Sequence, residues 1–312
     1  MNTTEKIYDV IIAGLGPAGA SAAIYTARKN LSTLIVAYDS GGQLTKTFDV
    51  ENYLGIIHST GWEMAMLFEE HVRKYAVDIE LGAAVEKIED HGDTKTFITT
   101  DGKRYTGKSV IIATGAKPKK INVAGEDEYN GKGLTYCTTC DGPLYRKKVV
   151  TIIGGGTSGV EAALEMAKIA SEVNLIVRSQ LRGEPILMDR LAELPVNVYE
   201  NYIPDEIIGD GQYLTAIRIK EKNTGVTKEI TTDGVFVEIG RSPNFALADN
   251  LLETNEMGEI VVNGLNETNV PGIFAAGDVT SVKYKQIGIA VGEGSKAALR
   301  LTEYLTRLGG KA

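Results

Sequence analysis

Residues 8–19 read Tyr-Asp-Val-Ile-Ile-Ala-Gly-Leu-Gly-Pro-Ala-Gly, a short apolar run that leads into three closely spaced glycines. A helix-like stretch (20–29) and a second apolar run (33–38) follow. In a dinucleotide-binding βαβ unit, Gly14 would permit the tight turn, Gly16 would let the backbone approach the pyrophosphate, and Gly19 would let helix and strand pack closely. The first N–H groups of the helix can then bind phosphate. The pattern predicts a Rossmann-like dinucleotide site, the alternative being a glycine-rich turn without a ligand.

One acidic residue indicates the type of nucleotide. Asp39 ends the second apolar run, where a carboxylate can accept a hydrogen bond from a ribose hydroxyl. An unphosphorylated ribose suits FAD, so we expect FAD at this first site.

The same pattern starts again 140 residues later (154 minus 14). A strand-like run (148–153) precedes Gly-Gly-Gly-Thr-Ser-Gly (154–159), a helix-like stretch (160–169) and another strand (172–177). The two segments align without a gap through their second strands, which predicts two nucleotide domains of similar plan.

The second site differs from the first at the end of its second strand. The position that matches Asp39 is Ser179, flanked by Arg178 and Arg182. The loss of the acid and the gain of arginines favour a 2′-phosphate, hence NADPH over NADH, although both arginines could also be plain surface charge.

The remaining pattern predicts the domain organisation. We expect a helix over 60–75, strands over 86–89, 95–100, 103–105, 109–113 and 272–276, and a last helix over 291–305. The tail is too short for a domain of its own and is expected to complete the first one. The prediction is an α/β protein with two Rossmann-like three-layer domains, the second inserted into the first: 1–116 and 245–312 bind FAD, and 117–244 carries the second site.

Both cysteines of the chain lie in the inserted segment, as Cys137-Thr138-Thr139-Cys140-Asp141-Gly142. Two thiols separated by two residues can close a disulfide without large backbone movement, and such pairs often have a lowered pKa. The Asp141 carboxyl is placed to shuttle a proton. A zinc site is the weaker alternative, because the three histidines stand at no ligand spacing. We therefore expect a redox-active dithiol and no metal.

Composition limits the function classes. The 312 residues are 43% hydrophobic and 24% charged, and the net charge of −8 argues against nucleic acid as a partner. No basic-then-apolar leader and no apolar stretch of membrane-spanning length is present, so we expect a cytoplasmic protein without membrane association. Cysteines in a reducing compartment are more often catalytic than structural.

A dithiol between two nucleotide sites suggests an electron relay. Nicotinamide carries hydride, a disulfide needs two electrons and protons, and a flavin joins the two. The combination of Gly-x-Gly-Pro-Ala-Gly, Gly-Gly-Gln-Leu, Glu-Asn-Tyr, Ala-Thr-Gly, Cys-x-x-Cys-Asp-Gly, Gly-Gly-Gly-x-Ser-Gly and Ala-Gly-Asp-Val resembles low-molecular-weight thioredoxin reductase, an FAD-dependent pyridine nucleotide-disulfide oxidoreductase. The resemblance covers residues 6–305 in the same order and spacing, and the cysteine motif is its specific part.

The resemblance implies roles for individual residues. Cys140 would receive electrons from the flavin, Cys137 would attack the disulfide of a thioredoxin-like protein, and Asp141 would donate and accept the proton. The implied FAD contacts are Gly14, Gly16, Pro17, Ala18, Gly19, Asp39, Gly42, Gln43, Leu44, Asn52, Val85, Thr114, Gly115, Gly277, Asp278, Gln286 and Ile287. The implied NADPH contacts are Gly154, Gly156, Thr157, Ser158, Gly159, Arg178 and Arg182. The family also implies a homodimer with a rotating inserted domain.

The chain departs from the family pattern at the second site. NADPH-using members end the second strand with His-Arg-Arg and carry another arginine four residues on, whereas this chain has Ile176, Val177 and Arg178, then Arg182. This departure resembles relatives of the family that take electrons from reduced ferredoxin or a reduced deazaflavin, so the resemblance implies these two as alternative donors. A small-molecule dithiol oxidase, which tends to carry histidine in place of Asp141, and a redox sensor without turnover are the alternative functions.

Overall fold

The computed structural model describes residues 6–47, 49–182, 184–244 and 251–309. The chain divides into two compact units: unit 1 comprises residues 1–117 and 242–312, and unit 2 comprises residues 118–241. The predicted domain limits after residues 116 and 244 remain predictions, because compactness does not show that each part folds alone.

The first stretch of unit 1 alternates strands and helices. Its elements are β1 (Ile7–Leu15), α1 (Pro17–Arg28), β2 (Thr33–Ser40), β3 (Asp49–Val50), β4 (Ser59–Thr60), α2 (Gly61–Arg73), β5 (Val77–Leu81), β6 (Val85–Asp90), β7 (Lys95–Thr99) and β8 (Arg104–Ile112). Apolar β1 and β2 are each buried over most of their length, as expected for inner strands of a parallel sheet. The start of α2 is fixed by Thr60 and Glu63, whose side chains each accept from the other's backbone N–H.

The middle of the chain repeats this alternation. Its elements are β9 (Ala116–Pro118), β10 (Leu134–Thr135), α3 (Thr138–Asp141), β11 (Val149–Ile153), α4 (Thr157–Met166), β12 (Glu172–Val177), α5 (Pro185–Ala192), β13 (Val196–Glu200), β14 (Tyr202–Gly209), β15 (Leu214–Glu221), β16 (Thr227–Thr231), β17 (Gly234–Val237) and β18 (Arg241–Pro243). The last stretch returns to unit 1 as β19 (Ile273–Ala275) and α6 (Ile287–Arg307).

Unit 1 is built on a seven-stranded sheet in which β1 is central. The strand order is β5-β2-β1-β8-β7-β6, and β19 also pairs with β8. Strands β5, β2, β1, β8 and β19 are parallel, and β6 and β7 pair antiparallel. One core cluster packs this sheet against α1 and α6, and a second covers the other face with Leu252, Ile260 and Val279. The unit therefore has a buried sheet between two layers, as predicted.

Unit 2 repeats the central part of this plan. Its parallel sheet has the order β10-β17-β11-β12-β13, so the first strand of the repeat is again central. One face packs against α4 and α5, and the other against the antiparallel sheet β14-β15-β16. The predicted α/β class with two Rossmann-like units is confirmed.

Three predicted elements differ in their bounds. Residues 103–105 and 109–113 were predicted as two strands, but β8 is continuous because its first half pairs with β7 and its second half with β19. The last helix begins at Ile287, four residues before the predicted start at 291. β5 was not predicted, although its sequence Val-Asp-Ile-Glu-Leu alternates apolar and polar residues as a half-buried strand does.

Candidate active site

The first glycine loop is tightly packed at two of its three glycines. Gly14 has φ +105°, and a Cβ there would lie 2.4 Å from the Ala113 carbonyl oxygen. A Cβ at Gly19 would lie 1.9 Å from the Gly14 oxygen. Around Gly16 the space is open, the nearest atom to a Cβ being 3.9 Å away, on Gly41. The loop thus excludes side chains where strand and helix meet and leaves room where a ligand would approach.

The start of α1 faces this open space without a side-chain cap. Gly16 is its N-cap in an extended conformation, and Pro17 and Ala18 occupy its first turn. Pro17 has no N–H, but the other N–H groups of the first turn lack helical partners and can bind an anion.

Other residues of the predicted FAD site follow the carboxyl ends of neighbouring parallel strands. Asp39 lies near the end of β2 and is exposed, and Thr114 and Gly115 follow β8. The Thr114 hydroxyl oxygen is buried and makes no hydrogen bond within the described part of the chain. Such an orphaned polar atom at the edge where a dinucleotide binds is consistent with a ligand partner.

A short 3-10 helix, Gly42–Lys46, follows β2 and contains Gly42, Gln43 and Leu44. Its preceding residue, Gly41, donates its N–H to the Leu15 oxygen at 2.8 Å, which ties this segment to the first glycine loop. Leu44 is buried, whereas Gln43 is partly exposed.

The returning tail brings the second group of predicted FAD residues to the same edge. Gly277 and Asp278 follow β19, and Gln286 is the N-cap of α6, whose first residue is Ile287. The Asn52 side-chain amide donates to the Gln286 side-chain oxygen at 3.3 Å. Residues 52 and 286, far apart in sequence, are therefore neighbours, as the predicted site requires.

Val85 lies three residues after Gly82, whose N–H donates to the Ala37 and Tyr38 oxygens near the end of β2, each at 3.1 Å. It begins β6, is 7% exposed, and its side chain packs in the core cluster of unit 1. Its predicted contact with FAD remains a prediction.

A buried carboxylate supports the Gly277 segment. Glu293 of α6 is 5% exposed, and its carboxylate accepts the Gly277 N–H at 2.8 Å. Burial raises the pKa of Glu293, while this hydrogen bond acts in the opposite direction. The position gave no sequence signal, because it lies in an ordinary helical pattern.

These features fit a dinucleotide. The uncapped helix start, the open space at Gly16, the unpaired Thr114 hydroxyl and the exposed Asp39 together offer donors for a pyrophosphate and an acceptor for a ribose hydroxyl. Gly14, Gly16, Gly19, Asp39 and Thr114 would hold FAD.

The second glycine loop repeats the geometry of the first. Gly154 has φ +152°, and a Cβ there would lie 2.2 Å from the Glu238 carbonyl oxygen. A Cβ at Gly159 would lie 2.1 Å from the Gly154 oxygen, whereas Gly156 has open space. Gly156 is the N-cap of α4 without a side-chain cap, and Thr157 and Ser158 form its first residues.

The arginines predicted for NADPH lie beside this loop. Arg178 and Arg182 are both exposed, and the Arg182 N–H donates to the Gly155 oxygen at 2.7 Å. Ile176 and Val177 are each 1% exposed and belong to the core. The positions where the family pattern has cations are therefore apolar here because they pack the unit.

The cysteines form a disulfide on unit 2. Cys137 and Cys140 are bonded, with Cα atoms 5.3 Å apart. Cys137 is the N-cap of the short helix α3 and accepts the Cys140 N–H at 3.3 Å. Cys140 is exposed and Cys137 is partly exposed, so the disulfide is accessible from solvent.

The Asp141 carboxylate is oriented by a residue that the sequence did not indicate. The Thr135 hydroxyl donates to Asp141 and accepts the Cys137 N–H at 3.3 Å, so one side chain links the proton carrier to the cysteine segment. Burial raises the pKa of the neighbouring Tyr145 to about 12, and the charge of Asp141 adds to this shift.

A second carboxylate contacts the cysteine segment from the other side. The Glu238 carboxylate accepts from the Thr138 N–H at 3.1 Å and from the Thr138 hydroxyl at 2.8 Å. Burial raises the pKa of Glu238. The available sequence signal was an acid directly after the buried run of β17, Gly-Val-Phe-Val.

Two glycine loops, each in a Rossmann-like unit, together with an accessible disulfide, define a dinucleotide-dependent disulfide oxidoreductase. Residues 8–294 match the pyridine nucleotide-disulphide oxidoreductase family, and the chain belongs to that family. The family uses FAD and a pyridine nucleotide, NADH or NADPH, so the predicted flavoprotein character is confirmed at this level.

Several solved structures that resemble this chain are thioredoxin reductases. The thioredoxin reductase of Streptococcus pyogenes is 38% identical, with a TM-score of 0.91, over 97% of this chain and 100% of that chain. A ferredoxin-flavin thioredoxin reductase from Clostridium acetobutylicum is 33% identical, with a TM-score of 0.52, over 96% of this chain and 98% of that chain. The predicted resemblance to thioredoxin reductases is confirmed.

Among curated relatives, a subunit of the alkyl hydroperoxide reductase of Pseudomonas putida is 43% identical over 99% of this chain and 60% of the relative. Its counterpart in the alkyl hydroperoxide reductase of Escherichia coli is 42% identical over 96% of this chain and 58% of the relative. The chain thus spans about 60% of the length of these relatives.

The described residues contain no group of three or more His, Cys, Asp or Glu side chains arranged to hold a metal ion. No helix in the described ranges is long and apolar enough to cross a bilayer.

Proposed function

We propose that the chain is a thioredoxin-disulfide reductase that uses FAD at the first glycine loop and NADPH at the second. The observation that carries the proposal is the accessible Cys137–Cys140 disulfide, located on the unit that also bears the second glycine loop. Bound FAD supplies the transfer of two electrons between a hydride donor and a disulfide.

The chain's own residues account for the sulfur chemistry. Reduction of the Cys137–Cys140 disulfide takes up two electrons and two protons and gives two thiols. The Cys137 thiolate then attacks the partner's disulfide, a mixed disulfide forms, and one partner thiol leaves. Cys140 attacks the Cys137 sulfur, which releases the second partner thiol and restores the internal disulfide. Asp141, oriented by Thr135, moves the proton to and from the thiol.

A thioredoxin-like acceptor is supported by the likeness to the Streptococcus pyogenes thioredoxin reductase, which extends over that whole chain. The alkyl hydroperoxide reductase relatives support a second candidate, in which this chain reduces the disulfide of a hydroperoxide-reducing partner such as a peroxiredoxin. The chemistry at Cys137 is the same in both cases, and only the docked partner differs.

NADPH is the proposed donor because two exposed arginines, Arg178 and Arg182, lie beside the second loop and no acid occupies position 179. Because Ile176 and Val177 are apolar, this site has fewer cationic side chains to bind a 2′-phosphate than the family pattern provides. The likeness to a ferredoxin-flavin thioredoxin reductase makes reduced ferredoxin the competing donor, and a reduced deazaflavin is a further alternative.

The dithiol oxidase and sensor hypotheses have less support. Asp141, rather than histidine, follows the second cysteine, which disfavours the oxidase. A sensor would hold nucleotide without repeated turnover, so sustained reduction of a protein disulfide would exclude it.

The test is anaerobic and uses the yellow, FAD-loaded protein. NADPH, NADH, reduced ferredoxin and a reduced deazaflavin are offered separately, followed by oxidised thioredoxin or oxidised peroxiredoxin in parallel. We expect NADPH to bleach the flavin fastest and thioredoxin to be reduced catalytically. If the protein reduced peroxiredoxin but not thioredoxin, peroxiredoxin would replace thioredoxin as the proposed acceptor. Failure of every donor to reduce the flavin would contradict reductase function.

The family resemblance also implies a homodimer. Sedimentation of the same preparation tests this, and a monomer would contradict it.

A further inference from the structure

In each unit the strand that pairs with the central one, β8 in unit 1 and β17 in unit 2, is followed by a different residue at the equivalent position. In unit 1 the Ala113 N–H donates to the Ala13 oxygen at 2.8 Å, and in unit 2 the Glu238 N–H donates to the Ile153 oxygen at 2.8 Å. Ala13 and Ile153 are related by the same offset of 140 as the glycine loops (153 minus 13). Ala113 and Glu238 also provide the carbonyl that packs against the first glycine of each loop.

Only unit 2 places a carboxylate at this position, and only unit 2 has a dithiol beside it. The Glu238 carboxylate takes both donors of Thr138, the backbone N–H at 3.1 Å and the hydroxyl at 2.8 Å. Thr138 is the first residue of α3 and lies between Cys137 and Cys140. The Thr138 N–H at the start of this helix therefore donates to the Glu238 carboxylate.

N–H groups at a helix start stabilise a thiolate, and a nearby negative charge destabilises it. A dithiol whose reduced form is less stabilised is a stronger reductant. The charged groups that act on Glu238 are Arg241, which favours its ionised form, and Glu165 of α4, which opposes it.

We propose that Glu238 is a positioning residue that keeps the Cys137–Cys140 pair strongly reducing, by holding Thr138 and placing a negative charge beside the start of α3. This inference rests on the proposed function and deepens it. The residue contacts neither the partner nor the nucleotide in this role and acts through the cysteine segment. The same residue packs its backbone carbonyl against Gly154 of the second glycine loop, so one strand end contacts both the loop and the cysteine segment.

The test measures the dithiol equilibrium and requires no protein partner. The FAD-loaded protein is equilibrated anaerobically with mixtures of reduced and oxidised dithiothreitol at about pH 8, an alkaline value chosen because burial raises the pKa of Glu238. In this exchange the enzyme disulfide becomes a dithiol while dithiothreitol becomes its cyclic disulfide, so two electrons and two protons are transferred. Acid quenching and alkylation then give the fraction of reduced cysteines.

Glu238→Gln keeps an oxygen that can accept from Thr138 and removes the charge. We expect the equilibrium constant to move about 3- to 10-fold toward the dithiol, which corresponds to about 15–30 mV. Glu238→Ala, which gives position 238 the residue of the equivalent position in unit 1, should shift it at least as far and carries the test if the glutamine variant does not fold. The pKa of the reactive thiol, from the pH dependence of its alkylation rate, should fall in both variants.

Glu165→Gln is the matched control, because it removes a nearby exposed charge that makes no hydrogen bond to Thr138. We expect its equilibrium constant to stay within about twofold of the unmodified protein. An unchanged constant in both Glu238 variants, or an equal shift in the control, would overturn the inference. Failure of the unmodified, FAD-loaded protein to reduce thioredoxin, while the Glu238 variants show the expected shift in the dithiol equilibrium, would instead contradict the proposed function.

Discussion

The two glycine loops share a backbone and differ in the side chains around it. In both, the first glycine packs on a strand-end carbonyl, the third packs on the first, and the middle one faces open space before an uncapped helix. Around the first loop stand Asp39 and Ala113, and around the second stand Ser179 and Glu238. The shared backbone fits a dinucleotide, and we propose that the residues at the strand ends select the nucleotide and the chemistry at each loop.

The largest expected effect comes from removing the Cys137–Cys140 dithiol, which only unit 2 has. Cys140→Ser should retain FAD, because the residues proposed to bind FAD lie in unit 1. It should lower the rate of protein-disulfide reduction at least about a thousandfold, because the internal disulfide can no longer form. Steady-state reduction of thioredoxin measures it.

The control for this substitution is Thr139→Ala. Thr139 is exposed between the two cysteines, and the change should leave the rate within about twofold. A Cys140→Ser protein with normal turnover would contradict the assigned site.

A paired substitution separates the two loops. Gly19→Ala and Gly159→Ala each place a methyl carbon about 2 Å from a backbone oxygen, far inside van der Waals contact. Each substitution should therefore distort its own loop and leave the other loop intact. We expect Gly19→Ala to lower the affinity for FAD at least about tenfold. We expect Gly159→Ala to keep FAD, but its flavin should be reduced by NADPH at least about tenfold more slowly. Flavin absorbance and anaerobic stopped-flow reduction measure the two effects.

Gly264→Ala is the control for this pair, because a Cβ there meets open space. If Gly159→Ala lost flavin as completely as Gly19→Ala, the assignment of FAD to the first loop alone would be wrong.

The buried acid of unit 1 provides a smaller effect. Glu293→Ala removes the acceptor of the buried Gly277 N–H, at a cost of about 1–3 kcal/mol. We expect a lower free energy of unfolding for the protein and weaker flavin retention, measured by denaturant titration and by dialysis. Glu293→Gln keeps an acceptor oxygen and should lose less; equal losses in the two variants would show that the charge, not the hydrogen bond, is what supports Gly277.

The smallest expected effect concerns the donor. Ser179→Arg adds a cation at the position that matches Asp39, and the preference for NADPH over NADH should rise about tenfold, or about 1.4 kcal/mol. Position 179 is the better choice than 177, because Val177 is 1% exposed and packs in the core. Ser171→Arg, at the other end of β12, is the control: it adds the same exposed charge and should leave the preference for NADPH over NADH unchanged. If Ser179→Arg did not raise this preference, the 2′-phosphate would not bind beside position 179.

The sequence was sufficient where a local pattern determines the structure. Glycine spacing and the apolar runs predicted both loops and the repeat, because the backbone geometry of a βαβ turn depends on neighbouring residues. The two-residue spacing of the cysteines predicted the disulfide. It was insufficient where distant segments meet. The contacts of Glu238 with Thr138 and of Glu293 with Gly277 depend on tertiary packing, and the unbroken length of β8 depends on its pairing with two other strands. Apart from the acid directly after the buried run of β17, none of these features has a local sequence signature.

The most direct measurement counts thiols after anaerobic reduction of the FAD-loaded protein by its best donor. The account predicts two alkylated cysteines per chain, Cys137 and Cys140, both reoxidised when oxidised thioredoxin is added. A flavin that is fully reduced while both cysteines stay bonded to each other would contradict it.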